Sequence, residues 1–152
     1  MPVAAPGPDR GGLRSTYVTR SASRITLCAP AQPQSVGHLR KRASMIFSAW
    51  MLNTDETQAA ELVISELLTN AVEHGHDKMT LGVARTGSAL EITVADHGQA
   101  ARSTSLGDPD EHGRGLAIVA AIAQDLSIDK TAGGWRTLAR IALQSPMSDS
   151  AA

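Results

Sequence analysis

The chain has 152 residues, enough for one domain with a single core, and its 14 basic and 15 acidic side chains leave a formal net charge of −1. That balance supplies no electrostatic drive toward nucleic acid or an anionic membrane surface, and 3% aromatic residues leave no stacking platform for single strands. One cysteine, Cys28, rules out an internal disulfide, no apolar stretch approaches the ~20 residues of a membrane span, and the chain is expected in the cytoplasm.

Residues 1–15 are rich in Pro and Gly and lack the apolar core of a secretory signal, so they read as a disordered leader. A domain is expected over 16–145, followed by a flexible tail at 146–152. Within 16–29, β-branched residues predict a strand that holds Cys28 as a buried thiol and is ended by Pro30 and Pro33. Val36, Leu39, Arg40, Ala43, Ile46, Phe47 and Trp50 set a helical period over 34–52. Asn53-Thr54-Asp55 interrupts it, with Thr54 or Asp55 able to cap a second helix that stops near Gly75.

In that second helix, positions 59, 62, 63, 66, 67, 70, 71 and 74 follow the spacing of a core-facing stripe and read Ala, Leu, Val, Glu, Leu, Asn, Ala, His. Glu66 and Asn70 are therefore expected one turn apart on an apolar face. Desolvating a carboxylate and a carboxamide is costly unless a partner satisfies them. A hard cation such as Mg²⁺, with its phosphates, needs oxygen donors of this kind.

Met79, Leu81 and Val83, then Leu90, Ile92 and Val94, alternate with smaller residues on either side of Thr86-Gly87-Ser88, which predicts a hairpin. Residues 97–112 show neither period, and a loop of that length in a compact domain is usually functional or disordered. Gly113-Arg114-Gly115 is expected to open a short helix, and a last hairpin turns at Ala132-Gly133-Gly134. Strand, helix, helix, two strands, loop, helix, two strands is the order of an α+β, two-layer sandwich, with helices on one face of a mainly antiparallel sheet.

Three features join the Glu66/Asn70 helix. Asp96 ends a strand and begins Asp96-His97-Gly98; Gly113-Arg114-Gly115-Leu116 is expected at a helix start, where bare amides hold phosphate oxygens; Thr137 lies in the final strand. Each is weak alone, but the ordered set is specific. It resembles the ATP-binding superfamily of histidine kinases, gyrase subunits, mismatch-repair ATPases and heat-shock chaperones, and within it most resembles the bacterial anti-sigma factor serine/threonine kinases. The resemblance covers about 31–143.

It implies that Asn70 ligates Mg²⁺ bridging the phosphates of ATP, and that Glu66 is the general base toward an acceptor hydroxyl or a water. Asp96 would accept a hydrogen bond from the adenine amino group, and Gly98 would let the backbone pass close to the base. Residues 97–112 would form a lid, the amides of Gly113, Arg114, Gly115 and Leu116 would hold phosphates, and Thr137 would support the adenine site. The implied protein is a kinase for a serine or threonine on a small anti-sigma factor antagonist, able also to hold a sigma factor, and relatives of this type suggest a homodimer. The rival readings are an ATP-binding regulator that transfers nothing and an ATPase module detached from a two-component sensor.

Two departures from the family pattern stand out. Asp108, Asp110 and Glu111 place an acidic cluster in the lid, offset only by Arg102, and Trp135-Arg136 precedes Thr137 without the lysine common in related chains. A metal site built on His74, His76, Asp77, His97 and His112 matches no compact zinc spacing. His38 reads as a surface residue rather than a phosphoacceptor.

Overall fold

Period-two alternation of large apolar and small polar residues builds the sheet, and the apolar phase of each strand decides which face the helices cover. The computed structural model describes residues 18–21, 23–74, 77–97 and 109–144. The elements run β1 (Val18–Ser21), β2 (Arg24–Pro30), α1 (Pro33–Ala49), α2 (Thr54–His74), β3 (Lys78–Thr86), β4 (Ala89–Asp96), α3 (Pro109–Ile122), β5 (Asp125–Thr131) and β6 (Gly134–Ala142). The leader, the tail and most of the expected lid lie outside the described residues, so the domain limits at 16 and 145 stay expectations.

All six strands pair antiparallel in the order β1-β2-β3-β4-β6-β5. Ile25 and Leu27 of β2, Met79, Leu81 and Val83 of β3, Leu90, Ile92 and Val94 of β4, and Ala139 and Ile141 of β6 are buried on the face beneath the helices. Leu39, Ala43, Ile46 and Phe47 of α1, six apolar residues of α2, and Val119 of α3 meet them. Each Leu or Ile so buried contributes about 1.5–3 kcal/mol. The expected α+β sandwich is therefore what forms.

Several boundaries differ from the sequence reading. The single strand expected in 16–29 is a hairpin, with Ser21 paired to Arg24; its reversal contains no Gly, Asn or Asp to announce it. Cys28 is half-buried on the uncovered face, where the Thr80 hydroxyl reaches its sulfur at 3.9 Å, rather than deep in the core. Pro33 begins α1, a position where a missing N–H is harmless, instead of ending the strand.

Helix α1 ends three residues early, in a Schellman turn: Met51 donates to the Ser48 carbonyl at 3.1 Å and Leu52 to the Phe47 carbonyl at 3.0 Å. Met51 holds φ 61°, a conformation that usually selects glycine. The cap of α2 is neither Thr54 nor Asp55 but Asn53, whose Oδ1 accepts from the Glu56 amide at 2.8 Å while Glu56 Oε2 accepts from the Asn53 amide at 2.9 Å. This is a reciprocal capping box, and Glu56 also accepts the Gln144 amide at 2.8 Å, tying the end of the sheet to the start of α2.

Candidate functional site

The core stripe of α2 is Ala60, Val63, Ile64, Leu67, Leu68 and Ala71, which corrects the expected stripe. Positions 63, 67 and 71 are shared, but Leu62 is 42% exposed and Ile64 and Leu68 take the centre. The physical reason is simple: the helix turns its most apolar side to the sheet, and Ile64 and Leu68 outbid Glu66 and Asn70 for it. Glu66 and Asn70 therefore sit on the rim of the stripe, both half-buried. Among the described residues neither side chain has a hydrogen bond or an ion pair.

Glu66 faces α3. Gly115 presents its bare Cα to the carboxylate, and a Cβ built there would lie 2.7 Å from Glu66 Oε2. Asn70 follows one turn later, toward the end of α2 that leads into β3. Residue Met79 near the start of β3 pairs with Asp96, so Asn70 lies on the way from Glu66 to the Asp96 end of the sheet.

Asp96 is 4% exposed and ends β4 on the helix-covered face. Its Oδ1 accepts the Trp135 amide at 3.1 Å, which fixes the carboxylate against the β5–β6 turn. Gly134, at φ 155°, is what makes this approach possible: a Cβ there would stand 2.7 Å from Asp96 Oδ1 and would collide with the Asp96 carbonyl. Thr137, also buried, lies on the same face of the neighbouring strand, with Val94 as its partner two residues before Asp96. Asp96 and Thr137 are thus brought together at one end of the covered face.

Helix α3 does not open at Gly113. It begins at Pro109, so the amides of Gly113, Arg114, Gly115 and Leu116 lie inside the helix, each with a carbonyl four residues earlier as its partner. The expected row of bare phosphate-holding amides is therefore not present in this arrangement. The signal for the earlier start was in the sequence, since Asp108-Pro109-Asp110-Glu111 has the form of a helix N-terminus. Arg114 is exposed, and Leu116 is half-buried and packs against the core. Gly98, Arg102 and Asp108 lie outside the described residues.

Gly134 and Trp135 carry no site motif of their own in the sequence, although the Gly133-Gly134 pair marks the turn that holds them. His97 Nε2 lies 3.3 Å from the Thr80 hydroxyl, beside that same turn. Among the described residues no three His, Cys, Asp or Glu side chains converge as a metal site would require. Mg²⁺ bound through one carboxamide together with phosphate and water oxygens needs no such cluster. No helix among the described residues is long and apolar enough to cross a membrane. A depression of about 250 Å³ on the uncovered face, lined by Arg24, Thr80, Thr93 and Arg136, is on the opposite side of the sheet from Asp96 and Thr137.

Comparison with known proteins agrees with this fold. The histidine kinase-like ATPase domain family matches residues 29–141. The serine-protein kinase RsbW of Bacillus licheniformis is 37% identical over 84 residues, 52% of each chain, and that of Bacillus subtilis is 36% identical over 83 residues, 51% of this chain and 52% of the other. The Bacillus velezensis RsbW is 25% identical over 134 residues, 76% of this chain and 84% of its own. In the stronger of these matches the chain spans about half the length of the relative.

Proposed function

The chain belongs to the histidine kinase-like ATPase domain family, and from that premise we propose that it binds ATP with Mg²⁺ and phosphorylates a serine or threonine on a small anti-sigma factor antagonist protein. The observation that carries this reading is the rim of α2. Glu66 and Asn70 are half-buried residues whose side chains no described residue satisfies, on the stretch of helix that leads toward Asp96. The donor set suits the ligand: a neutral carboxamide and a carboxylate, both hard oxygen donors.

Asn70 would hold the cation, which would supply charge neutralisation to the triphosphate. Asp96, oriented by the Trp135 amide and given room by Gly134, accepts from the adenine amino group, and Thr137 supports that contact from β6. Arg114 adds a positive charge on α3. Phosphoryl transfer depends on positioning and charge neutralisation more than on covalent help. Glu66 takes the proton from the acceptor hydroxyl as its oxygen bonds to the γ-phosphorus and the bond to ADP breaks.

Phosphorylation adds charge to the antagonist and breaks its complex with this protein, which then holds a sigma factor in the cytoplasm, as a homodimer over residues 16–145. The similarity to serine-protein kinases supports the kinase over a regulator that binds ATP and transfers nothing. To test it, the chain is incubated with labelled ATP, Mg²⁺ and small proteins that co-purify with it. Label is expected on a serine or threonine of one of them and not on this chain; ATP binding without any transfer would leave the binding regulator.

A further inference from the structure

Glycine is the poorest helix residue after proline, yet Gly115 sits in the second turn of α3 with its amide already committed within the helix. Backbone freedom does not explain it, since the position is helical. Room does. The Cβ that any other residue would carry lies 2.7 Å from Glu66 Oε2, but 3.7 Å from Glu66 Cδ and 3.8 Å from Glu66 Cβ. Only the carboxylate oxygen is too close; the rest of the side chain is at ordinary contact distance. A methyl group at 115 would therefore turn the carboxylate aside without forcing either helix to move.

We infer that Gly115 is the positioning residue for Glu66: the missing side chain is a slot that holds the carboxylate against the α3 backbone, in the orientation from which it takes a proton. The inference rests on Glu66 as the base of the proposed reaction, and it gives Gly115 a role different from holding phosphate through its amide. A role in phosphate binding would show in nucleotide affinity. A role through Glu66 shows only in the chemical step, because the carboxylate's orientation matters in the transition state and little in ground-state binding.

The test uses the full chain with Mg²⁺-ATP as the probe, reading single-turnover release of labelled phosphate to water alongside ATP affinity and thermal unfolding. Gly115→Ala is expected to raise the melting temperature by a few degrees, since alanine favours the helix, while leaving ATP affinity within about threefold and slowing hydrolysis about tenfold or more. In a Glu66→Gln background, where no base remains to misplace, the same substitution is expected to change the rate by less than about twofold.

Equal slowing in both backgrounds, or a loss of affinity that matches the loss of rate, overturns the inference. If the wild type and Glu66→Gln release phosphate equally, the reading of Glu66 as the base fails. The slot is then judged by crystal structures of the wild type and Gly115→Ala. A turned Glu66 carboxylate over unmoved helices upholds it; an unmoved carboxylate with α3 displaced refutes it.

Discussion

Helix α2 carries two glutamates that the fold treats in opposite ways. Glu56, at its start, is 7% exposed and accepts backbone amides from Asn53 and Gln144. Glu66, farther along, is half-buried and makes no hydrogen bond to a described residue. Burying a carboxylate is tolerable when backbone donors take up its lone pairs, and such a group then holds the fold together. A carboxylate on the rim of the core without such donors contributes little to folding and remains available for chemistry. The same residue type on one helix thus serves structure at one end and, in the proposed reaction, catalysis toward the other.

Substitution at each glutamate tests that contrast from both sides. The largest effect is expected from Glu66→Gln, which should lower phosphoryl transfer by about 10²–10⁴-fold, the usual worth of a general base, with ATP affinity and urea midpoint nearly unchanged. A fall in stability comparable to that of a Glu56 variant would erase the contrast. Glu56→Ala should cost about 2–4 kcal/mol in urea unfolding, because it leaves the Asn53 and Gln144 amides without their acceptor, yet the folded fraction should bind ATP as the wild type does.

Asp96→Asn probes a carboxylate that is anchored by the fold and, in the proposed reaction, also binds the nucleotide. Losing a charge-assisted hydrogen bond should weaken ATP binding by about 10–100-fold and reduce discrimination against GTP, measured by competitive titration. The smallest effect belongs to the junction just before α2. Met51→Gly should stabilise the chain by about 1 kcal/mol, since Met51 occupies a left-handed helix cap that suits glycine, with no change in nucleotide binding.

Much of this was legible in the sequence. The hairpins flanking Gly87 and Gly133-Gly134 followed from alternation and turn residues, and with the two long helices they led to the antiparallel α+β sandwich. Glu66, Asn70, Asp96 and Thr137 stand out as a candidate set because their order along the chain is distinctive. What escaped was rotational and local. The α2 stripe was read one position off because a helix face that mixes Glu, Asn and His with Leu and Val still satisfies the period, and only the competition from Ile64 and Leu68 for the sheet decides the angle. The Asn53–Glu56 capping box and the Pro109 start both had sequence signatures that lay beside more obvious breaks. The contacts of Gly115 with Glu66 and of Gly134 with Asp96 join residues far apart in sequence, and no local pattern reveals a close approach of that kind.

In the proposed reaction the α2 rim and the Asp96 end of the sheet serve one nucleotide. Calorimetric titration of ATP into the wild type, Asn70→Ala and Asp96→Asn, each with and without Mg²⁺, tests it most directly. Asn70→Ala is expected to lose the increment of affinity that Mg²⁺ confers while keeping Mg²⁺-free binding, and Asp96→Asn to bind more weakly in both conditions. Equal affinities for all three proteins, with Mg²⁺ and without, would contradict it.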